Sequence, residues 1–321
     1  MRILFFLLFL FPNPAMPQSP LWSDNLEVTA SALKLREAPR LDAAVLSVLP
    51  QGAAVENLSR QDQPPVWDVI DGKSAYWVRV GYQGQTGYAF GAYLKADFYL
   101  FYENTIVAEL PNVKNWYALY KTPEGDELRK TTVFTKLDSV EITGGLEPIL
   151  HAGATGSTFV IGTDRELKTG IVGDYYLRHD QWGEEIDFHY ELNPGANVLL
   201  TSFHAPLRHS DHFVAVLGTG SYELSTGLLE KRDLKIWAAL KSESGNNFLT
   251  KQDLSAFFNP RDESALLKWW GDLDGDGKPD VLIGRCAFGE GGCTDYLFLS
   301  SNARTGELLR LAAAYYWGMG C

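Results

Sequence analysis

Val28-Thr-Ala-Ser-Ala-Leu33-Lys-Leu35-Arg36 settles into apolar–polar alternation, and Pro39 then breaks the run. A period of two is that of a half-buried strand. Outward from it, Ala44-Val-Leu-Ser-Val-Leu49 leads to Gly52, and Ala54-Val-Glu-Asn-Leu58 follows. After an insert holding Pro64-Pro65 come Tyr76-Trp-Val-Arg-Val80, a turn at Gln83-Gly84-Gln85, and Thr86-Gly-Tyr-Ala89. Short, evenly spaced strands separated by polar turns predict a small barrel. On the strand through Trp77, that residue and Arg79 share one face, while Tyr76, Val78 and Val80 share the other.

The blocks Leu33-Lys-Leu35-Arg36-Glu-Ala-Pro39, Val45…Leu49-Pro-Gln-Gly52, Trp77-Val-Arg-Val80, Gly84-Gln-Thr-Gly-Tyr88 and Ala92-Tyr-Leu94 follow one another in this order. With them, the segment from about 26 to 97 resembles a bacterial SH3 (SH3b) domain. It departs from the family at Glu37-Ala38, where a Ser-Gly-Pro turn is common, and in a lengthened loop over 60–73. The resemblance implies an SH3-like barrel that binds cell-wall peptide or a protein partner. Trp67, Trp77, Tyr88 and Tyr93 are the candidate ligand-binding residues, since aromatics with polar tips suit a shallow groove for peptide or glycan. The competing reading is that Trp77 and Tyr88 fill the barrel.

Arg2 followed by an apolar run from Ile3 to Phe11 reads as a secretory signal over 1–19, too short to span a bilayer. Asn13-Pro14-Ala15 and Ser19 are the alternative cleavage positions. No other segment reaches membrane-span length. The expected location is therefore periplasmic or secreted. The net charge of −12 disfavours nucleic acid and anionic membrane surfaces as partners. A hydrophobic fraction of 45% with nine Trp belongs to a packed globular protein. The chain divides into the signal, an SH3b-like barrel over 20–97, and a second domain over 98–321.

That second domain reads as β-rich α+β, so the whole chain is expected to be mainly β. Phe98–Tyr102, Trp116–Lys121, Thr131–Thr135, Ser139–Thr143, Gly170–Arg178, Ile186–Leu192, Asn197–Phe203, His212–Leu217 and Leu234–Leu240 read as strands, with glycine-rich turns between. Thr250-Lys-Gln-Asp253 resembles a capping box, and Asn259-Pro260 predicts a helix over 261–270 with Leu266, Leu267, Trp269 and Trp270 mostly buried.

Gly271-Asp-Leu-Asp-Gly-Asp-Gly-Lys-Pro-Asp280 then carries a metal-loop spacing. With Asp272 as position one, Asp274, Asp276, Lys278 and Asp280 fall at three, five, seven and nine, and Gly277 takes the sharp-turn position six. Lys278 is compatible because position seven donates its main-chain carbonyl. Position twelve is Ile283 in place of a bidentate Glu, and a strand follows. This resembles the Asp-rich loops of FG-GAP and EF-hand type, which implies weak, structural Ca²⁺ binding. Cys286 and Cys293 are the favoured disulfide, with Cys286–Cys321 the alternative.

Other chemistries fit poorly. His209-Ser-Asp211-His212 resembles part of a metallo-β-lactamase zinc box, but no His lies beyond it. Every Cys follows every His, the reverse of the order in the cysteine peptidases often joined to SH3b domains. No nucleophile-elbow, zincin or Gly-rich phosphate motif occurs. Glu184, Glu185 and Asp187 read as a charged hairpin more readily than as glycosidase carboxylates. The expectation is a non-enzymatic envelope binding protein with no catalytic residues. The alternative is an envelope hydrolase using carboxylates within 98–321.

Overall fold

The computed structural model describes residues 22–59, 66–107, 109–140, 144–173, 197–201, 213–225, 228–241, 248–254, 264–278, 280–286 and 292–317. The signal segment, His204, His209, His212, Glu184, Glu185, Asp187 and Cys321 lie outside them, as do the readings placed on those residues.

Eight strands come first: β1 (Asn25–Val28), β2 (Ala32–Arg36), β3 (Val45–Pro50), β4 (Ala54–Asn57), β5 (Trp67–Ile70), β6 (Lys73–Tyr82), β7 (Gln85–Phe90) and β8 (Leu94–Ala96). They form one antiparallel path, β3-β2-β7-β6-β4-β1-β8, with β5 paired to β6 alone. Leu26, Leu35, Leu49, Val55, Val80, Ala89 and Leu94 all enter one buried cluster. Residues from both ends of the path thus share a core, and the sheet must curl to bring them there. The path does not close by pairing β3 with β8, so the expected barrel is an open one.

Turn chemistry fixes the register. Gln83 and Gly84 take φ of 48° and 80° between β6 and β7, the left-handed conformations of a two-residue hairpin turn. Gly87 is required for a different reason. A Cβ there would stand 2.6 Å from the Arg36 carbonyl oxygen, so only glycine lets β7 approach β2.

The remaining strands are β9 (Phe98–Phe101), β10 (Asn115–Thr122), β11 (Gly125–Lys130), β12 (Val133–Val140), β13 (Gly145–Ala152), β14 (Phe159–Thr163), β15 (Gly170–Gly173), β16 (Asn197–Thr201), β17 (Phe213–Ser225), β18 (Leu228–Lys241), β19 (Phe248–Asp253), β20 (Ser264–Gly271), β21 (Asp280–Cys286), β22 (Cys293–Leu299) and β23 (Arg310–Trp317). They build a five-stranded sheet β15-β11-β10-β14-β9, the hairpin β12-β13, and two meanders, β16 to β19 and β20 to β23. The five-stranded sheet and the last meander share a core holding Phe98, Tyr117, Leu128, Phe159, Trp269, Leu282 and Leu297. Phe159 and Trp269 meet edge to face at 5.6 Å. Each such side chain, fully buried, contributes about 1.5–3 kcal/mol.

Two expectations fail here. The helix over 261–270 is strand β20, and Thr250 to Asp253 lies in β19 and caps no helix. No α-helix occurs among the described residues, so the α component of the expected α+β domain is absent from them. The meander explains the misreading. A bulge between Leu267 and Trp269 breaks the alternation. In β22, two strands along the same meander, every residue is buried, Thr294 and Asp295 included. Apolar runs covered on both faces lose the period that separates strand from helix. Likewise Val133–Thr135 and Ser139–Val140, parts of what read as two strands, belong to one continuous β12.

Candidate functional site

The four aromatic candidates do not form one surface. Trp77 is buried at 4% exposure, donates its indole N–H to Asp68 Oδ2 at 3.1 Å, and packs against Phe90 at 5.6 Å. It is a core residue and offers no face to a ligand, a correction to its place among the ligand-binding candidates. Tyr88 and Tyr93 flank the same cluster and stay half-buried, and Lys73 Nζ sits 4.5 Å above the Tyr93 ring. Register puts Tyr88 opposite Arg79, on the Trp77 side of β6. Trp67 is half exposed and pairs with Tyr76, whose ring it meets edge-on at 4.7 Å. It therefore sits on the opposite face of the β5–β6 hairpin. Tyr88, Tyr93 and the Lys73 ammonium are thus left together on one side.

The aspartate loop is more compact. β20 delivers the chain through Gly271, and Asp272 N–H is bonded to the Val172 carbonyl at 2.6 Å. Gly275 and Gly277 then take φ of 77° and 81°, which turn the chain back on itself. Asp272 accepts the Gly275 and Gly277 N–H groups at 2.9 and 3.0 Å, and Asp276 accepts that of Lys278 at 2.8 Å. Carboxylate oxygens of Asp272, Asp274 and Asp276 converge within 4.8 Å of one another, so these three can hold a metal ion.

Asp280 does something else. It is fully buried, accepting Leu273 N–H on Oδ2 and Ser300 N–H on Oδ1, both at 2.8 Å. It anchors the loop to β22 and is not one of the converging set. Lys278 is exposed, with its backbone N–H turned inward to Asp276. Burial pushes the Asp280 carboxyl well above the usual range, with Asp274 nearby adding to the effect. Burial, then repulsion from neighbouring carboxylates, likewise raises Asp272 and Asp274. Such groups are held close against their own repulsion.

Two residues that sequence reasoning missed complete the loop. The Ser300 hydroxyl lies 3.1 Å from both Asp276 Oδ1 and Asp280 Oδ1, and the Ser301 hydroxyl bonds Asp274. They sit in the turn after β22, more than twenty positions downstream, where no local motif points to them. Asp274 Oδ1 is shut from solvent and receives no hydrogen bond among the described residues. An all-oxygen donor set with such an orphaned acceptor fits a hard divalent cation.

Sequence reasoning also missed Asp295. It is buried in β22 between the Tyr102 hydroxyl at 2.6 Å and Lys268 Nζ at 2.8 Å. Its partners answer its charge, and it holds β9, β20 and β22 together.

Residues 31–95 match the family model described as bacterial SH3 domain. No curated protein and no solved structure matches the chain. No helix among the described residues is long and apolar enough to cross a membrane.

Proposed function

We propose that this is an exported, non-enzymatic binding protein of the bacterial cell envelope, whose SH3b module grips wall peptide through Tyr88, Tyr93 and Lys73. The family match over 31–95 carries the reading, because such domains serve as wall- or protein-binding modules. The local chemistry supports it. Two half-buried rings over a rigid Trp77–Phe90 base give a peptide flat, apolar contact at little entropic cost, and the ammonium attracts a carboxylate. In the second region, Ca²⁺ held by Asp272, Asp274 and Asp276 staples β20 to β21 and to the Ser300–Ser301 turn. A Cys286–Cys293 disulfide closes the other end of the β21–β22 pair, where the two residues stand opposite each other in register. The protein works in the periplasm or outside the cell.

Co-sedimentation of the full mature chain with purified sacculi tests this. The wild type should be retained, and Tyr93→Ala or Tyr88→Ala should weaken retention roughly tenfold with little change in melting temperature. Equal retention of both variants would remove the aromatic site. Absence of wild-type retention would move the reading to a protein partner. Soluble wall fragments released by the chain would make it the hydrolase considered above.

A further inference from the structure

A cleft of about 350 Å³, lined by both apolar and charged residues, opens where the SH3b module meets the second region, apart from the Trp77–Phe90 cluster. Leu26 and Ala96, both buried, belong to its apolar lining, and Gly52 and Ala54 border it. Its charged lining is Glu27, Lys95, Asp97, Asp164 and Arg165, three carboxylates against two cations. We infer that this cleft is a second ligand site, for a short peptide or amino acid carrying one free carboxylate and at least one free amine.

The charges are arranged for partner exchange. Lys95 Nζ pairs with Asp164 Oδ2 at 2.6 Å, and Arg165 pairs with Asp97. Each pair joins the two regions across the cleft, and each has one member fixed by something else. Arg165 also donates to Asn302 Oδ1 at 2.8 Å and to Ser301 Oγ at 3.3 Å, and its guanidinium lies 5.0 Å over the Phe98 ring. It stays aimed when Asp97 leaves. Asp164 accepts the Lys114 backbone N–H at 2.9 Å, so it keeps its place when Lys95 swings away. Glu27 stands opposite Lys95 in the β1–β8 register, ready to take that ammonium.

A ligand carboxylate can therefore replace Asp97 on Arg165 while a ligand amine replaces Lys95 on Asp164. No net charge is buried by the exchange. The surplus carboxylate favours a second amine over a second acid. The volume suits a dipeptide and is too small for a folded partner.

The probe is the dipeptide Ala-Ala, which has one amine and one carboxylate, titrated calorimetrically into the full mature chain beside its N-acetylated and C-amidated forms. The free dipeptide should bind, and each cap should weaken it at least about tenfold, the worth of one charge-assisted hydrogen bond. In Arg165→Gln the free acid and the amide should bind alike, a loss of discrimination that general unfolding does not produce. Ala54→Phe should block the cleft without touching a charge. If its melting curve shows misfolding, Glu27→Gln replaces it and should weaken the amine-bearing forms only. No heat from the free dipeptide at millimolar concentration, equal binding of the capped forms, or full affinity in the blocked variant overturns the proposal.

Discussion

The SH3b module and the region after residue 97 are both antiparallel β, yet they close their cores over very different chain distances. In the module, Leu26, Leu35, Leu49, Val80 and Leu94 meet within a span of about seventy residues, each carried in its own strand-and-turn block. In the larger region one core joins Phe98 to Tyr315, with Tyr117, Phe159 and Trp269 between. Local blocks leave a readable order in the sequence. A core assembled from both ends of two hundred residues leaves only scattered apolar runs.

The contrast can be broken first at Trp269. Its side chain is 2% exposed, and its indole N–H has no hydrogen-bond partner among the described residues, so Trp269→Ala removes packing. Denaturant titration should show a loss of about 3–5 kcal/mol. A smaller loss means that the two sheets do not depend on each other as their shared core implies.

Gly87→Ala probes the module in the same units. Its methyl would press on backbone at Arg36, which cannot rotate away, and the expected cost is about 1–3 kcal/mol. Together the two variants tell whether the regions melt as one. A single transition shifted by either change joins them, and a separate transition for each divides them.

An effect no larger than that of Gly87→Ala belongs to the aspartate loop. Millimolar Ca²⁺ over EDTA should add about 1–3 kcal/mol at neutral pH, read as a rise in melting temperature. Superimposable melts would remove the metal. The effect has a definite pH sign. Asp272, Asp274 and Asp280 titrate above their usual value. In the metal-free chain their contribution is full below the unfolded carboxylate pKa and is lost as pH rises through the raised values. The gap between Ca²⁺ and EDTA melts should therefore open through that window and close in acid, where protons do the work of the cation.

What could be read in advance follows the same division. The loop was legible because Asp272, Asp274 and Asp276 lie in one run with Gly277, so spacing alone implies convergence. Asp280 belongs to that run by spacing, but its role as a buried anchor depends on Ser300, which β22 brings back from twenty residues away. Tyr88 and Tyr93 were legible as aromatics of the module, but not the buried Trp77–Phe90 cluster that they flank. That Trp67 faces the other way from Trp77 depends on the pairing of β5 with β6, and pairing is absent from a list of residues. Strand β20 was misread because a bulge between Leu267 and Trp269 breaks its alternation, and alternation is what writes a period into a strand.

The module is also gripped from behind. Asp24 N–H bonds the carbonyl of Leu311 at 3.0 Å, and Arg310, only 5% exposed, reaches Glu56 at 2.8 Å, with Arg304 on the same carboxylate at 2.7 Å. The beginning of the described chain is thus sewn to its last strand, while Phe98 continues straight from the module into the larger core. Cutting the backbone at residue 97 would free one seam only, and removing the piece would leave a buried guanidinium with Glu307 alone, its Asp24 and Glu56 counter-charges gone. Tandem modules threaded like beads can be shuffled. This one is a keystone, and any swap must carry its neighbour's final strand along.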